Sequence, residues 1–339
     1  MELAIYRYCR TTQAAPCCVT TKLFIFSSYK CNTVYTEAEL RVLATLKSDS
    51  SISELADDLD RSVNYTSELV ERVESKGLVN THRSGKTKRI QRSEAKAVEL
   101  FDTFVQQYSH IPFPELLDGT TLRVLYYLDS PRAATDLADL VDVHRSTVHR
   151  VLSPLQDRGI VYKSDGRYVI NDEFEGLVGL AQEFAHLRNR TRVADHVDSY
   201  TILWESPDEF LIQTDEVIES DAFVTTGPER FQTFGLPLLA RQRRYYLYSL
   251  SKDDISAAEL CCHMLIIDDG TRTRSYCLLL LKSEGVDRDD VLELAETYSV
   301  STVVSDLLSY LDTEGEERAG RLPTWSEFCE LADEYEVTV

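Results

Sequence analysis

The sequence has few positive charges and no long apolar segment. Its 339 residues include 57 Asp and Glu but only 36 Lys and Arg, so the formal net charge is −21. Only 10 of these cations are lysines. No apolar run reaches the roughly 20 residues that a membrane-spanning helix needs, and the run at Cys277–Leu281 is far shorter. We therefore expect a cytoplasmic protein without a membrane partner.

The shortage of positive charge argues against a nucleic-acid partner at low salt, because DNA is also an anion. However, many carboxylates with few lysines resemble the composition of proteins from salt-loving archaea. In about 1 M salt the Debye length is about 3 Å, so global repulsion is screened and local contacts decide binding. Charge alone leaves two alternatives open, an acidic protein that binds DNA and one that does not.

The sequence also lacks the short motifs of metal sites and of common enzymes. None of its eight cysteines forms a C-x-x-C pair. Cys261, Cys262 and His263 are consecutive, so their side chains point in different directions and suit a core better than one metal ion. There is no Gly-rich phosphate loop, G-x-S-x-G turn or H-E-x-x-H pair. We predict no metal, no cofactor and no enzymatic activity.

Acidic residues are missing from the first part of the chain. From Leu3 to Thr36 there is no Asp or Glu, and four of the eight cysteines fall there. We interpret residues 1–34 as an atypical extension that arises from a mis-assigned translation start, with Val34 as a candidate true start. A four-cysteine metal site is the alternative, although the spacing of these cysteines matches no usual ligand pattern.

What the sequence does contain is an internal repeat. The tetrapeptide LRVL at 40–43 recurs at 122–125, and LAD at 55–57 recurs at 137–139 with the same offset. Asp60 aligns with Asp142 without a gap. Self-similarity at a fixed spacing is typical of a duplicated supersecondary unit.

Each copy predicts three helices followed by a β-hairpin. The helices lie near 37–46, 52–59 and 63–76, and near 120–128, 134–141 and 145–158. The hairpins pair 78–83 with 87–92, and 160–164 with 167–171. The long third helices have one apolar face each, made of Thr66, Leu69, Val70 and Val73, and of Val148, Val151, Leu152 and Leu155. Gly77 and Gly159 follow these helices, where a left-handed backbone favours glycine, and Asp165-Gly166 predicts a tight turn.

The succession of Leu-Ala-Asp, a polar turn, a long helix and Lys/Arg-Gly-Leu/Ile-Val resembles the winged helix-turn-helix regulators of the MarR and ArsR type. The resemblance covers residues 36–92 and 119–172. It implies tandem winged units at 35–92 and 119–172, with the third helix in the major groove of double-stranded DNA and the hairpin, or wing, on the DNA backbone. The alternative is a pair of protein–protein interaction modules.

The polar faces of the two long helices differ. The second presents Arg145, Ser146, His149 and Arg150. The first presents Asn64 and Ser67 beside Glu68 and Glu71. Because Arg reads guanine and carboxylates repel phosphates, we expect the second helix to read bases.

The hairpins show the opposite bias. The first carries Arg83, Lys86, Lys88, Arg89 and Arg92, whereas the second carries only Lys163 and Arg167, with Asp165 between them. Basic hairpins suit phosphate contacts, which position a protein without specifying sequence. We hypothesise that the first unit anchors by its wing and the second reads by its helix; a solvated surface run is the alternative.

Connecting segments at 93–118 and 173–197 surround the second copy. Apolar residues recur at helical spacing between Phe174 and Leu187. This helix either pairs with its copy in a homodimer or is buried against the same chain.

The segment 198–339 predicts an α/β domain, so the whole chain is α+β. Strands are expected at 200–205, 209–213, 222–225 and 245–249, and helices at 257–266, 288–298, 303–311 and 325–335. Thr324 or Ser326 is expected to cap the last helix. Arg241, Arg243 and Arg244 suit an anionic effector or the acidic face of a protein partner, with a solvated helix end as the alternative.

These patterns together predict a DNA-binding transcriptional regulator with a C-terminal ligand- or protein-sensing domain. The alternative is an antitoxin-type regulator that binds a nucleotidyltransferase toxin through its C-terminal domain. The match to such antitoxins is architectural and rests on no diagnostic motif.

Overall fold

The computed structural model describes residues 35–85, 87–238 and 243–338, which form a mixed α+β structure. The first copy of the repeat contains α1 (Glu37–Thr45), β1 (Ser50–Ser51), α2 (Ile52–Leu59), α3 (Val63–Ser75), β2 (Val79–Ser84) and β3 (Thr87–Arg92). The strands form an antiparallel sheet in the order β1-β3-β2. Two helices then lead to the second copy, namely α4 (Lys96–Gln107) and α5 (Phe113–Leu116).

The second copy repeats the same order of elements. It contains α6 (Gly119–Tyr126), β4 (Arg132–Ala133), α7 (Ala134–Val141), α8 (Arg145–Gln156), β5 (Val161–Ser164) and β6 (Arg167–Ile170). Its sheet order, β4-β6-β5, is equivalent to that of the first copy. The short strands β1 and β4, each two residues long, are too short to show a period in the sequence.

Backbone conformations repeat together with the elements. Asp60 and Asp142 end α2 and α7 with φ of 54° and 50°, and Gly77 and Gly159 follow α3 and α8 with φ of 71° and 70°. Left-handed residues at helix ends release the chain from the helix while satisfying its last carbonyls. The expected positions of both glycines are confirmed, and the internal repeat is visible in the backbone.

The connecting helix α9 (Gly176–Ala194) is buried within its own chain. It packs against α4 and α6. Leu177, Leu180 and Phe184 are at most 1% exposed in the core that the two copies share. Tyr35 donates a hydrogen bond of 3.2 Å to the Phe184 carbonyl. Of the two alternatives for this helix, the structure therefore shows burial against the same chain.

The C-terminal part begins with a four-stranded antiparallel sheet. Its strands are β7 (Tyr200–Glu205), β8 (Phe210–Thr214), β9 (Phe223–Thr226) and β10 (Arg244–Tyr248), in the order β7-β8-β10-β9. Side chains alternate between two apolar clusters, with Ile212 in one and Leu247 in the other. The four expected strands are confirmed to within one residue at each end.

Helices follow the sheet. They are α10 (Ala257–Ile267), α11 (Thr271–Ser283), α12 (Arg288–Thr297), α13 (Ser301–Asp312) and α14 (Trp325–Glu334). Helix α11 was not expected from the sequence, because it contains the buried run Cys277–Leu281 and therefore lacks a one-sided apolar period. Thr324 caps α14 by accepting a hydrogen bond from the Glu327 amide. Among the described helices, none is long and apolar enough to cross a bilayer.

Candidate nucleic-acid interface

Helix α8 exposes the polar face that the sequence predicts. Val148, Leu152 and Leu155 are buried on its inner side. Arg145, Ser146, Arg150 and Ser153 are exposed on the other. This face is open to solvent except at His149, which is half-buried.

The cations on and beside α8 lack acidic partners. In the parts of the chain that the structure describes, no carboxylate oxygen lies within 4.0 Å of the basic groups on this surface, which are Arg145, Arg150, Lys163 and Arg167. Lys163 and Arg167 lie on the hairpin formed by β5 and β6, and both are exposed. The helix and the hairpin thus present four cations without an ion-pair partner among the described residues, in a chain of net charge −21, although Asp165 lies in the turn between Lys163 and Arg167.

One hydrogen bond ties this hairpin to α8. His149 Nδ1 lies 2.5 Å from Tyr168 Oη, and Tyr168 is only 1% exposed. Lys163 Nζ lies 4.6 Å from the centroid of the Tyr168 ring, within the range of a cation–π contact. Desolvation and then the positive charges of Lys163 and Arg145 lower the pKa of His149. Partial burial of the ring, together with the neighbouring cations, thus disfavours the charged form of His149.

Helix α3 of the first copy presents a different surface. Its buried side is Thr66, Leu69, Val70 and Val73. Asn64 is exposed and Ser67 is half-buried, as on a helix that meets solvent on its polar face. Glu68 and Glu71 are exposed at the centre of that face and have no ion-pair partner among the described residues. Carboxylates at this position disfavour phosphate approach.

Most of the cations on the first hairpin are neutralised. Lys88 Nζ lies 3.2 Å from Glu74, and Arg89 Nη1 lies 3.1 Å from Glu54. Arg92 Nη2 lies 3.1 Å from Asp102. Arg83 is exposed, and within the described ranges no carboxylate pairs with it. Lys86 lies outside the described residues. The density of Lys and Arg in this stretch therefore overstates its net positive charge.

The three arginines expected to bind an effector or partner, Arg241, Arg243 and Arg244, are only partly within the described residues. Arg244 begins β10 and its Nη1 lies 3.4 Å from Glu229, whereas Arg243 is exposed just before the strand. Arg241 lies outside the described residues. The segment leads into a strand, so the alternative of a helix end does not apply to Arg243 and Arg244.

The cysteines and histidines form no metal site in the described part. Cys261, Cys262 and Cys277 are buried free thiols. Burial, more than any other cause, raises the pKa of the Cys262 thiol, so this side chain stays protonated. Across residues 35–85, 87–238 and 243–338, no three His, Cys, Asp or Glu side chains are grouped to hold a metal ion.

Two family models match segments of this chain. Residues 120–195 match the HVO_A0261 N-terminal domain, a segment that begins in α6 and ends just after α9. Residues 220–337 match the HVO_2833_C family, described as C-terminal, from just before β9 to the end of α14. Each match covers less than half of the 339 residues, and neither description states an activity. No curated protein matches the chain.

Tyr168 was not among the residues expected from the sequence, although it joins the hairpin to α8 through His149. Its neighbour Arg167 is exposed and Tyr168 is buried, as the two-residue period of a strand requires. An aromatic residue on the inward side of a short hairpin strand was a usable signal, but its partner His149 is 19 residues away. Only the fold shows that the two side chains meet.

Proposed function

We propose that this protein is a DNA-binding transcriptional regulator and that the second copy of its repeat is a winged helix-turn-helix unit that reads DNA. Three helices and a hairpin, with a short strand between the first two helices that completes a three-stranded sheet, are the elements of such a unit. The observation that carries the proposal is the exposed positive charge on α8 and on the β5–β6 hairpin. Among the described residues, no carboxylate forms an ion pair with these cations. This surface is suited to phosphates and to base edges.

The two parts of this surface have separate roles. Arg150 and Ser146 lie near the centre of the exposed face of α8, from which side chains reach base edges in the major groove. Lys163 and Arg167 lie on the hairpin and contact phosphates, which set the position of the protein on the duplex. The hydrogen bond between His149 and Tyr168 fixes the hairpin relative to the helix, so both contacts form together.

The first copy has an anchoring role in this proposal. Its exposed Arg83 is placed on β2 to contact a phosphate, and Asn64 and Ser67 are its candidate base contacts. Lys88 and Arg89 contribute less, because each already has a carboxylate partner. Breaking such a pair to bind a phosphate exchanges one ion pair for another, with little net gain.

The C-terminal part is proposed to sense a protein or small-molecule effector. Its sheet contacts the second copy through the turn between β7 and β8. Arg123 on α6 donates to Asp208 at 2.5 Å, and Tyr126 donates to the Glu205 carbonyl at 2.8 Å. Asn189 on α9 donates to the Ser206 carbonyl at 3.0 Å. A change in this turn therefore acts directly on α6, which packs against α8, and on α9.

Selection of duplexes from a random pool by the purified protein tests the proposal. We expect enrichment of a defined sequence. We also expect the logarithm of the binding constant to fall linearly with the logarithm of the salt concentration, with a slope of about −0.9 per phosphate contact. The double variant R145A/R150A is expected to lose both enrichment and most of the affinity. R288A/R321A, which removes two exposed arginines of the C-terminal part, is the matched control. Failure to enrich any duplex, at low and at high salt, would refute the proposal.

A further inference from the structure

The two long helices carry side chains of opposite charge at one equivalent position. Aligned from Asp60 and Asp142, Glu68 on α3 corresponds to Arg150 on α8, and Val63 corresponds to Arg145. All four side chains are exposed. The repeated fold thus presents the outer side of this helix twice, with Glu68 and Glu71 on α3, where Arg72 follows, and with Arg145 and Arg150 on α8.

The surface on α3, here called the acidic face, consists of Val63, Tyr65, Glu68 and Glu71. Val63 and Tyr65 are 50% and 38% exposed, and they are two of five large apolar side chains that are exposed in the described residues. At 100° per residue they lie on either side of the two glutamates. An open groove of about 480 Å³ adjoins Tyr65, between α1, α2 and α3. Apolar residues flanking unpaired charges are typical of a protein contact surface.

The surface on α8 and the second hairpin, here called the basic face, consists of Arg145, Arg150, Lys163 and Arg167. No carboxylate pairs with these groups in the described part of the chain. Groups that bind phosphate oxygens also bind carboxylate oxygens, because both are anionic hydrogen-bond acceptors. Glu68 and Glu71 of the acidic face are anionic acceptors of this kind.

We infer that the acidic face of one molecule binds the basic face of another copy of this chain. A second copy is the occupant that the charges favour, because every molecule carries both complementary faces and leaves both exposed. The contact joins different surfaces, so association is head-to-tail and leaves one free face at each end. The inference rests on the proposed function, since the basic face is also the proposed DNA-reading surface.

DNA and the second copy bind the same basic face, and this has two consequences. DNA and the second copy exclude each other, so a duplex dissociates the assembly, and self-association reduces the fraction of protein free to bind DNA. Both contacts weaken with salt. The Debye length falls from about 10 Å at 0.1 M to about 3 Å at 1 M, which screens the exposed charges.

Sedimentation of the full chain over a wide range of concentration tests the inference. We expect the average mass of the wild type to rise with concentration and to fall when a duplex is added. The variants E68K/E71K and R145E/R150E are each expected to associate about tenfold more weakly, because attraction becomes repulsion at the contact. E293K/E296K, with the same spacing on the exposed side of α12, is the matched control and keeps wild-type association.

Mixing the two charge-reversed variants provides the decisive measurement. E68K/E71K has positive charge on both faces, and R145E/R150E has glutamates on both α3 and α8, so each is expected to associate poorly alone. In the mixture, the lysines on α3 of one variant meet the glutamates on α8 of the other, and the remaining two faces keep their native charges, so the mixture is expected to associate. Restoration also shows that both variants fold. A wild type that stays monomeric, or a mixture that does not associate, overturns the inference.

The proposed function, DNA binding, is tested separately from self-association. E68K/E71K leaves the basic face intact, so its DNA binding is expected to be retained or increased. DNA binding without self-association rejects the inference alone. Self-association without DNA binding rejects the proposed function.

Discussion

Glu68 and Arg150 occupy equivalent positions on α3 and α8, and both side chains are exposed. Within one duplicated framework, the first helix therefore presents a carboxylate where the second presents a guanidinium. Arginine binds guanine through two hydrogen bonds, whereas a carboxylate repels the phosphates on either side of the groove. We therefore expect the two copies to differ in role although their backbones correspond.

The first prediction concerns sequence preference. Arg150→Ala is expected to relax the preference at one base pair by about 1–3 kcal/mol, because a side chain that reads a base edge is lost. Arg83→Ala is expected to weaken binding to all sequences alike. It is also expected to reduce the magnitude of the salt slope of the binding constant by about 1. Binding of a set of single-base variants of the selected duplex measures both, with Arg288→Ala as the control. Equal loss across sequences for Arg150→Ala would show that this residue contacts phosphate.

The second prediction concerns the contact between α8 and its hairpin. Tyr168→Phe removes the hydroxyl that lies 2.5 Å from His149 Nδ1 and retains the buried ring. We expect the free energy of unfolding to fall by about 1 kcal/mol and DNA affinity to fall severalfold, because the hairpin is held less firmly. Chemical denaturation and binding to the selected duplex measure these effects.

Tyr200→Phe is the matched control for this substitution. Tyr200 donates one hydrogen bond of 3.2 Å to the Arg190 carbonyl, away from the proposed interface. We expect a comparable or smaller change in stability and no change in DNA affinity. If Tyr168→Phe also leaves affinity unchanged, the hydrogen bond has no part in positioning the hairpin.

The third prediction concerns acid stability. Burial, and then the positive charge of Lys252, lowers the pKa of His263 from 6.5 to about 3. Its Nδ1 lies 2.9 Å from Thr226 Oγ1 at the contact between α10 and β9. Since the folded-state pKa is below the unfolded one, the contribution to stability is present above pH 6.5 and is lost as the pH falls toward 3.

His263→Gln should therefore flatten the pH dependence of unfolding. The wild type is expected to lose about 1.4 kcal/mol more per pH unit than the variant between pH 6 and pH 4, which corresponds to one proton taken up on unfolding. His110→Gln, at an exposed histidine, is expected to keep the wild-type slope. Parallel curves for the wild type and His263→Gln would mean that His263 is protonated in the folded state.

The fourth prediction concerns the coupling of the C-terminal sheet to the second copy. The side chains of Arg123 and Asp208 are 21% and 48% exposed. A double-mutant cycle to alanine is expected to give a coupling energy of about 1 kcal/mol, because the pair is partly shielded from water. The ion pair between Arg288 and Asp312, whose side chains are 50% and 62% exposed, is the comparison and is expected to couple more weakly. Equal couplings would indicate that the turn between β7 and β8 is not shielded.

Much of the local structure was predictable from the chain alone. The bounds of α2 and α7 agree with the prediction at both ends, and α3 and α8 agree at their first residue. These helices are amphipathic, and polar capping residues and glycines mark several of their ends, so the signals lie within a few residues of each boundary. The buried helix α11 has no such one-sided period, and this explains why it was missed.

The candidate site was predictable only in part. The sequence by itself determined which face of α8 is apolar and that Arg145, Arg150, Lys163 and Arg167 belong to the second copy, because helix and strand periods are local properties. Only the tertiary structure decided which cations are neutralised. Lys88 meets Glu74 across 14 residues and Arg89 meets Glu54 across 35. An ion pair depends on distance in space, which residue spacing along the chain does not specify.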